Sequence, residues 1–273
     1  MPGPPMRKVG LLLAALVIGW VLLAMIAPTL LTSTDPLATD PTTVLAPPSS
    51  EHWFGTDQSG RDVYARVVHG ARDSVLVGLR AVLIAMIIGG VLGTVAGLAP
   101  RWVDRSVSRI VTILLAFPEF LLALLVVAIL GKGPLPVALG VTIAIIPAYA
   151  RLARVTAHQH RTSPLLDAAT TLGVPRVRAI VRHVLPPVTS ALLGLAIIGF
   201  GSAIVTAAGL SFLGLGIAPP APEWGVMMSE GKNQLANGWW ITFFPGLVLA
   251  ATVVAITALA RPLQQALAGG SPS

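Results

Sequence analysis

The stretch Val75–Ala99 reads VLVGLRAVLIAMIIGGVLGTVAGLA and decides the fold class of this chain. Its 25 residues include one charge, Arg80. A bilayer core of about 30 Å needs about 20 apolar residues in a helix, so the stretch predicts a membrane-spanning helix. Its small residues from Gly89 to Gly97 favour close helix packing over a nucleotide-binding loop. The composition agrees, because only 11% of the 273 residues are charged, against roughly 25% in soluble domains.

Five further apolar runs flank this stretch, and each predicts another span. The six predicted spans are Val9–Ala27, Val75–Ala99, Ile110–Leu130, Leu135–Ala150, Val188–Leu210 and Ile241–Ala260. The first run follows Arg7 and Lys8, as a secretory signal does, but it is long and no small-x-small cleavage site follows Pro28. We interpret it as an uncleaved anchor. The predicted fold is therefore an all-α integral membrane protein with six transmembrane helices.

The charges predict the orientation of the spans. With the N-terminus inside, the inner segments carry twelve basic and two acidic residues, whereas the outer segments carry six basic and eight acidic ones. Such an excess of Lys and Arg marks the cytoplasmic side, so we expect both termini there. The net charge of +7 is then explained by topology, which argues against nucleic acid as a partner. The chain has no Cys, so disulfides, thiolate metal sites and Cys nucleophiles are excluded.

The outer segments differ in character. Thr29–Pro48 is rich in Pro, Thr and Ser and predicts an extended spacer. Gly60–Gly78 has an amphipathic helical pattern, so we expect a helix at the outer membrane interface before the second span. Trp239 and Trp240 are typical of an interfacial aromatic anchor. We therefore divide the chain into residues 1–49, an anchor with its spacer, and residues 50–273, the main membrane domain.

The loop 151–187 predicts two short helices on the cytoplasmic side. Ser163 and Pro164 are favourable residues for starting a helix, and Gly173 suits the left-handed position that ends it. Pro175 opens a second helix that we expect to stop at Pro186. The apolar stripe of the first helix includes Leu172. Such a pair either lies on the membrane surface or docks in a groove of a cytoplasmic partner.

Three stretches make the chain recognisable. In the loop 151–187, Asp167-Ala168-Ala169 is followed by Gly173, Ile180 and Leu185-Pro186. This pattern resembles the Glu-Ala-Ala loop of binding-protein-dependent ABC importer permeases, with Asp in place of the usual Glu. Two outer stretches are similar to the C-type subunit of the dipeptide, oligopeptide and nickel branch. Their matching residues are Gly55, Asp57, Gly60, Arg61 and Asp62 in the first, and Phe212, Gly214, Gly216 and Trp224 in the second. The C-terminal end departs from the family pattern, with Ala260-Arg261-Pro262-Leu263-Gln264-Gln265.

The resemblance implies a type I ABC importer permease fold in a bacterial inner membrane. It implies a heterodimer with a homologous second permease, two ATPase subunits or one fused pair, and an extracytoplasmic substrate-binding protein. The partner ATPases would use ATP and Mg²⁺, and no cofactor is expected on this chain, which has no phosphate-binding Gly-x-x-x-x-Gly-Lys-Ser/Thr sequence. Short peptides are the expected substrate. Nickel chelates, opines or glutathione are the alternatives.

Two residues inside predicted spans stay open to two interpretations each. Glu119 lies about ten residues into the third span, either as a pathway carboxylate or as a hydrogen-bonded structural carboxyl. Pro147 indicates either a bent, pathway-lining fourth span or a Pro tolerated in a packed bundle. Pro118, next to Glu119, predicts local bending.

Other classes of protein are weighed against the permease. An intramembrane enzyme that uses Glu119 as its acid would need a Ser with its base, a metal pair or a second carboxylate, and none is visible. A self-contained channel or ion-coupled carrier is disfavoured by the cytoplasmic helix pair. His158 and His160 lack the carboxylate company of a metal site, so we expect them to be solvated.

Overall fold

The computed structural model describes residues 5–161, 163–165 and 171–268, with side chains between residues 8 and 260 of those ranges. The predicted first cytoplasmic helix, with Asp167, Ala168 and Ala169, therefore falls largely outside the described residues. The described helices are α1 Pro5–Ile26, α2 Val63–Leu98, α3 Arg101–Leu115, α4 Glu119–Leu130, α5 Pro134–His160, α6 Arg176–His183, α7 Leu185–Phe212, α8 Trp224–Gly231, α9 Leu235–Gly238 and α10 Trp240–Ala268. In these ranges no strand forms, which agrees with the predicted all-α class.

Five described helices are long and apolar enough to cross a membrane: α1, α2, α5, α10, and α7 with the preceding α6. The broken pair of α3 and α4, bent by 93°, makes up to six. The third predicted span, Ile110–Leu130, is therefore wrong as a continuous helix. Pro118 lacks an N–H and disfavours helical geometry in the residue before it, so α3 ends at Leu115.

The other helix boundaries exceed the predicted spans. α2 starts twelve residues before Val75, α5 continues ten residues beyond Ala150, and α7 starts at Leu185. An apolar run marks only the part of a helix that lies in the hydrocarbon core of the membrane, whereas the helix itself continues into the flanking polar segments. The helix predicted to open at Pro175 forms as α6 and ends at His183. Pro186 and Pro187 then occupy the first turn of α7, where the missing N–H has no role.

Two apolar cores hold the helices together. The larger one joins α2, α4, α5, α6 and α7 around the buried ring of Tyr149. Here Gly89, Gly93 and Gly97 place α2 directly against α5, because a Cβ at each position would overlap the α5 backbone. The smaller core joins α1, the start of α2, α8 and α10 around Trp224.

The loops gather at two ends of the bundle. We call residues 28–62 and 213–239 the cap, and residues 99–109 together with the described residues of 151–187 the basic end. The loop between α4 and α5 also reaches the cap, where the Gly133 N–H donates to the Leu215 carbonyl at 2.9 Å. At the basic end, a two-point ion pair between Arg154 and Asp104 ties α5 to α3.

Candidate functional site

The first outer stretch forms a tight turn around the buried carboxylate of Asp57. One carboxylate oxygen accepts hydrogen bonds from the N–H groups of Ser59 at 2.7 Å and Arg61 at 3.0 Å. Gly60 has a φ of +72°, and a side chain there would collide with the Asp40 backbone. The turn therefore needs glycine. The Arg61 guanidinium also lies 3.6 Å from Asp57.

Arg66 links the two outer stretches, and sequence reasoning missed it. Its fully buried guanidinium pairs with Asp57 from the first stretch and with Glu230 from the second, the latter at 2.7 Å. It also donates to the Pro220 carbonyl at 3.2 Å. Arg66 and Glu230 lie 164 residues apart along the chain, so no local sequence pattern could reveal that they pair.

Trp224 anchors the second stretch on α2. Its fully buried ring donates from Nε1 to the Val67 carbonyl at 2.9 Å, and its backbone N–H donates to the Ser74 hydroxyl at 3.0 Å. The α2 residues beneath it, Val67 and Val68, are fully buried as well. The helix predicted at Gly60–Gly78 forms as the start of α2 from Val63 onward, and its apolar face packs on α8 and α10.

Glu223 caps α8 and is a second residue that sequence reasoning missed. Its carboxylate oxygens accept from the N–H groups of Gly225 at 2.9 Å and Val226 at 3.0 Å. Burial nevertheless raises the pKa of Glu223 above its usual range, because desolvation outweighs these bonds. An acid before a short helix is a recognisable capping signal, so the sequence contained a cue.

Several other cap residues also have structural partners. Asp62 caps α2 through the Ala65 N–H at 2.8 Å and pairs with His52 Nδ1 at 2.8 Å. Trp240 is buried and donates to the Thr56 carbonyl at 2.9 Å, so only the exposed Trp239 is available as an interfacial anchor. The cap glycines Gly55 and Gly214 have positive φ, and a Cβ at Gly216 would overlap Ser211. The Lys232 ammonium lies 5.5 Å from the centroid of the Phe212 ring. The two outer stretches thus build one rigid scaffold.

A polar group lies where α4, α5 and α7 meet within the bundle. Glu119 is the first residue of α4, with the hydroxyls of Ser202 and Thr206 of α7 in hydrogen-bonding reach. Tyr149 of α5 is buried, and its hydroxyl has no partner among the described residues. Glu119 itself is exposed on the surface of the single chain. Pro147 is buried one turn from Arg151 inside the unbroken α5.

The described part of the loop 151–187 presents apolar side chains to solvent. Gly173 has a φ of +83°, which confirms the predicted left-handed position. Leu172 before it is 83% exposed, and Val177 and Val181 of α6 are exposed too. On the opposite face of α6, Ala179 is buried and Ile180 packs on the large core, so α6 is held on the bundle.

No cluster of three metal-ligating side chains occurs in residues 5–161, 163–165 and 171–268. His160 Nδ1 lies 2.9 Å from the Thr156 carbonyl of its own helix. The chain can thus hold the polar group around Glu119 within an apolar bundle, and it presents the exposed apolar side chains of Leu172, Val177 and Val181 to a partner.

Comparison with known proteins gives the family. Residues 89–269 match the model of the binding-protein-dependent transport system inner membrane component. The chain is 40% identical to a dipeptide transport system permease protein of Alkalihalophilus pseudofirmus, over 96% of this chain and 86% of that one. It is 39% identical to a probable D,D-dipeptide transport system permease protein of Escherichia coli K12, over 95% and 88%. It is 40% identical to a glutathione transport system permease protein of Pectobacterium atrosepticum, over 81% and 73%.

These relatives are transport permease subunits rather than catalysts, and their family is one of multi-pass inner membrane components that work with ATPase and substrate-binding partners. The chain belongs to this family and is a permease subunit of an ABC importer.

Proposed function

We propose that this permease subunit carries short peptides across the inner membrane as a heterodimer with a homologous second permease. Two ATPase subunits, separate or fused, hydrolyse ATP with Mg²⁺, and an extracytoplasmic binding protein delivers the substrate. The peptide substrate is supported by relatives that are named for dipeptides and for glutathione, which is itself a tripeptide. Nickel chelates, opines and glutathione are the alternatives.

The translocation pathway lies along the exposed face of α4, α5 and α7. This pathway is supported by the position of Glu119, which is exposed on the single chain, beside Ser202 and Thr206, at the 93° break between α3 and α4. Acidic groups inside a membrane bundle ordinarily face its interior or a water-filled cavity. A second permease on this face would enclose the group, and the carboxylate would then meet the ammonium of a peptide in transit. Buried Pro147 shapes the neighbouring turn of α5.

Coupling to the ATPase runs through Asp167, Ala168, Ala169, Leu172 and Gly173, with Ile180 and Pro186 holding the following helices. Support comes from Leu172, whose exposed side chain precedes the left-handed Gly173, and from the exposed valines of α6. A preformed apolar knob beside basic side chains fits a groove on a partner. Because α6 continues almost directly into α7, movement at the knob reaches the helix that carries Ser202 and Thr206.

The orientation places the basic end and both termini in the cytoplasm. The basic end holds Arg101, Arg105, Arg109 and the arginines of α6, whereas the cap is mostly acidic. Residues 1–49 form the anchor and spacer, and residues 50–273 form the permease domain.

Replacing Glu119 tests the pathway. Glu119→Gln keeps the shape of the side chain and removes its charge, so we expect reduced uptake of zwitterionic peptides while the complex still assembles and hydrolyses ATP. Lys132→Gln, a matched loss of charge just beyond the other end of α4, should transport normally. The measurement is uptake of several labelled dipeptides into proteoliposomes that contain the complete importer. Wild-type uptake of all of them by Glu119→Gln would remove Glu119 from the pathway.

A further inference from the structure

A cavity on the cap has walls suited to a cationic group. It measures about 450 Å³, and its lining includes Thr29–Thr34 on one side and Glu51, Trp53, Asp62 and Tyr64 on the other. This volume is within the roughly 300–1,000 Å³ of ligand sites. None of these residues is used by the pathway or the coupling segment, and the cap scaffold explains only the role of Asp62.

Two aromatic rings form one wall of the cavity. The ring centroids of Trp53 and Tyr64 lie 5.0 Å apart, and Tyr64 is braced from behind by Phe54 at 5.1 Å. Trp53 is nevertheless 61% exposed. The exposed indole of Trp53 therefore lines the cavity beside a second ring, and aromatic rings bind cations over their faces.

Two carboxylates supply the matching charge. Glu51 has no ion pair among the described residues, and Asp62 shares its carboxylate with His52 and the start of α2. The surrounding segment, residues 29–64, contains five acidic residues against one Arg, Arg61, which is occupied by Asp57, and one His, His52, which is occupied by Asp62. The cavity is therefore electronegative, and its described lining holds no cation. Anionic lipid headgroups would be repelled, so the charge favours a basic protein group over the membrane surface.

We propose that this cavity receives a Lys or Arg side chain of the substrate-binding protein when that protein docks on the permease. The inference rests on the proposed function, because it needs the cap to face outward. The basic side chain lies over Trp53, and its charged end reaches Glu51 and the hydroxyl-rich Thr29–Thr34 edge. The contact fixes the position of the binding protein over the cap, whose Arg66 network joins α2 to the segment that follows α7.

The test measures binding of the cognate binding protein to the complete importer in nanodiscs. Trp53→Ala should weaken binding about two- to five-fold, the range expected for one exposed cation–π contact. Glu51→Gln should weaken it about two- to five-fold as well, through the loss of one exposed ion pair. Together they should weaken it about ten-fold, and Glu51→Lys should do so alone. Controls are Asp35→Asn and Trp239→Ala, an exposed acid and an exposed Trp outside the cavity, which should bind as wild type. Free arginine should compete better than NaCl at equal ionic strength.

Unchanged affinity in Trp53→Ala and Glu51→Lys, in an importer that still binds its binding protein and transports peptide, overturns the cavity proposal and leaves the proposed function intact. An effect of Trp53→Ala without any effect of Glu51→Lys or of salt also overturns it, since the contact would then be apolar. A wild-type complex that neither binds nor is stimulated by the binding protein overturns the proposed function as well.

Discussion

Replacing Arg66 by Met tests whether the buried ion network holds the cap together. The change removes a guanidinium that pairs with Asp57 and Glu230 and bonds to the Pro220 carbonyl. Methionine fills much of the same volume, so the packing loss is small. What remains is a carboxylate at Asp57 that has no access to water.

The cost follows from that orphaned charge. Breaking a buried pair by removing one partner destabilises a protein by about 3–5 kcal/mol. Asp57 keeps two backbone N–H bonds and the neighbouring Arg61, which places the loss near the lower limit, about 3 kcal/mol. For a chain of this size the unfolding midpoint should fall by about 6–12 °C.

The assay is thermal unfolding of the purified importer in detergent, followed by size-exclusion chromatography of the soluble fraction. Arg72→Met is the matched control, because Arg72 is exposed on the same helix and has no ion-pair partner among the described residues. Its midpoint should change by less than about 1–2 °C. The double variant Arg66→Met with Asp57→Asn removes the orphaned charge and should melt higher than Arg66→Met alone. Equal midpoints for Arg66→Met and Arg72→Met, or no recovery in the double variant, would show that the buried ion network does not stabilise the cap.

Three further changes probe other parts of the molecule. Gly93→Ala should disrupt assembly, seen as loss of the complex on chromatography, because its Cβ would overlap the Ala150 carbonyl, whereas Gly19→Ala, which meets nothing within 4 Å, should assemble normally. Gly173→Val should lower substrate-stimulated ATPase activity several-fold while the complex still forms, since a β-branched residue strains the φ of +83° by about 1–2 kcal/mol. Wild-type substrate-stimulated ATPase activity in Gly173→Val would show that Gly173 has no role in coupling. Glu223 has a raised pKa in the folded protein, so the folded state holds a proton that the unfolded state releases above about 4.5. Thermal midpoints should therefore fall as pH rises above 4.5, and Glu223→Gln should flatten that fall; identical pH profiles would show that Glu223 does not titrate with folding.

The spans were predictable because lipid imposes a strong local rule on sequence. A run of about 20 apolar residues is long enough to cross the hydrocarbon core as a helix, and α1, α2, α7 and α10 each contain a run of about this length, whereas the run in α5, Leu135–Ala150, is shorter. Helix ends were less predictable, since α5 stays helical beyond Ala150 where the side chains become charged. The left-handed Gly173 was predictable from its own sequence neighbourhood. The break at Pro118 was foreseen as bending, but its 93° angle depends on packing against α5 and α7.

The candidate sites divide in the same way. The outer motif residues could be selected from the sequence, yet their roles as a scaffold could not. Arg66 meets Glu230 and Trp224 meets Val67 across more than 150 residues of chain, and neither contact leaves a periodic signal. The amphipathic start of α2 likewise predicts an apolar partner without indicating whether that partner is lipid or protein.

Peptide uptake by the reconstituted importer tests most directly whether this chain is an ATP-coupled peptide permease. Proteoliposomes would contain this chain, its partner permease and the ATPase subunits, with labelled dipeptide and the binding protein on the side of the cap. We expect uptake to require ATP, the binding protein and an intact coupling segment, so that Asp167→Lys abolishes it while the complex remains assembled. Uptake without ATPase subunits would show that this chain is not an ATP-driven permease, and uptake at the wild-type rate in Asp167→Lys would show that this segment does not couple it to the ATPase.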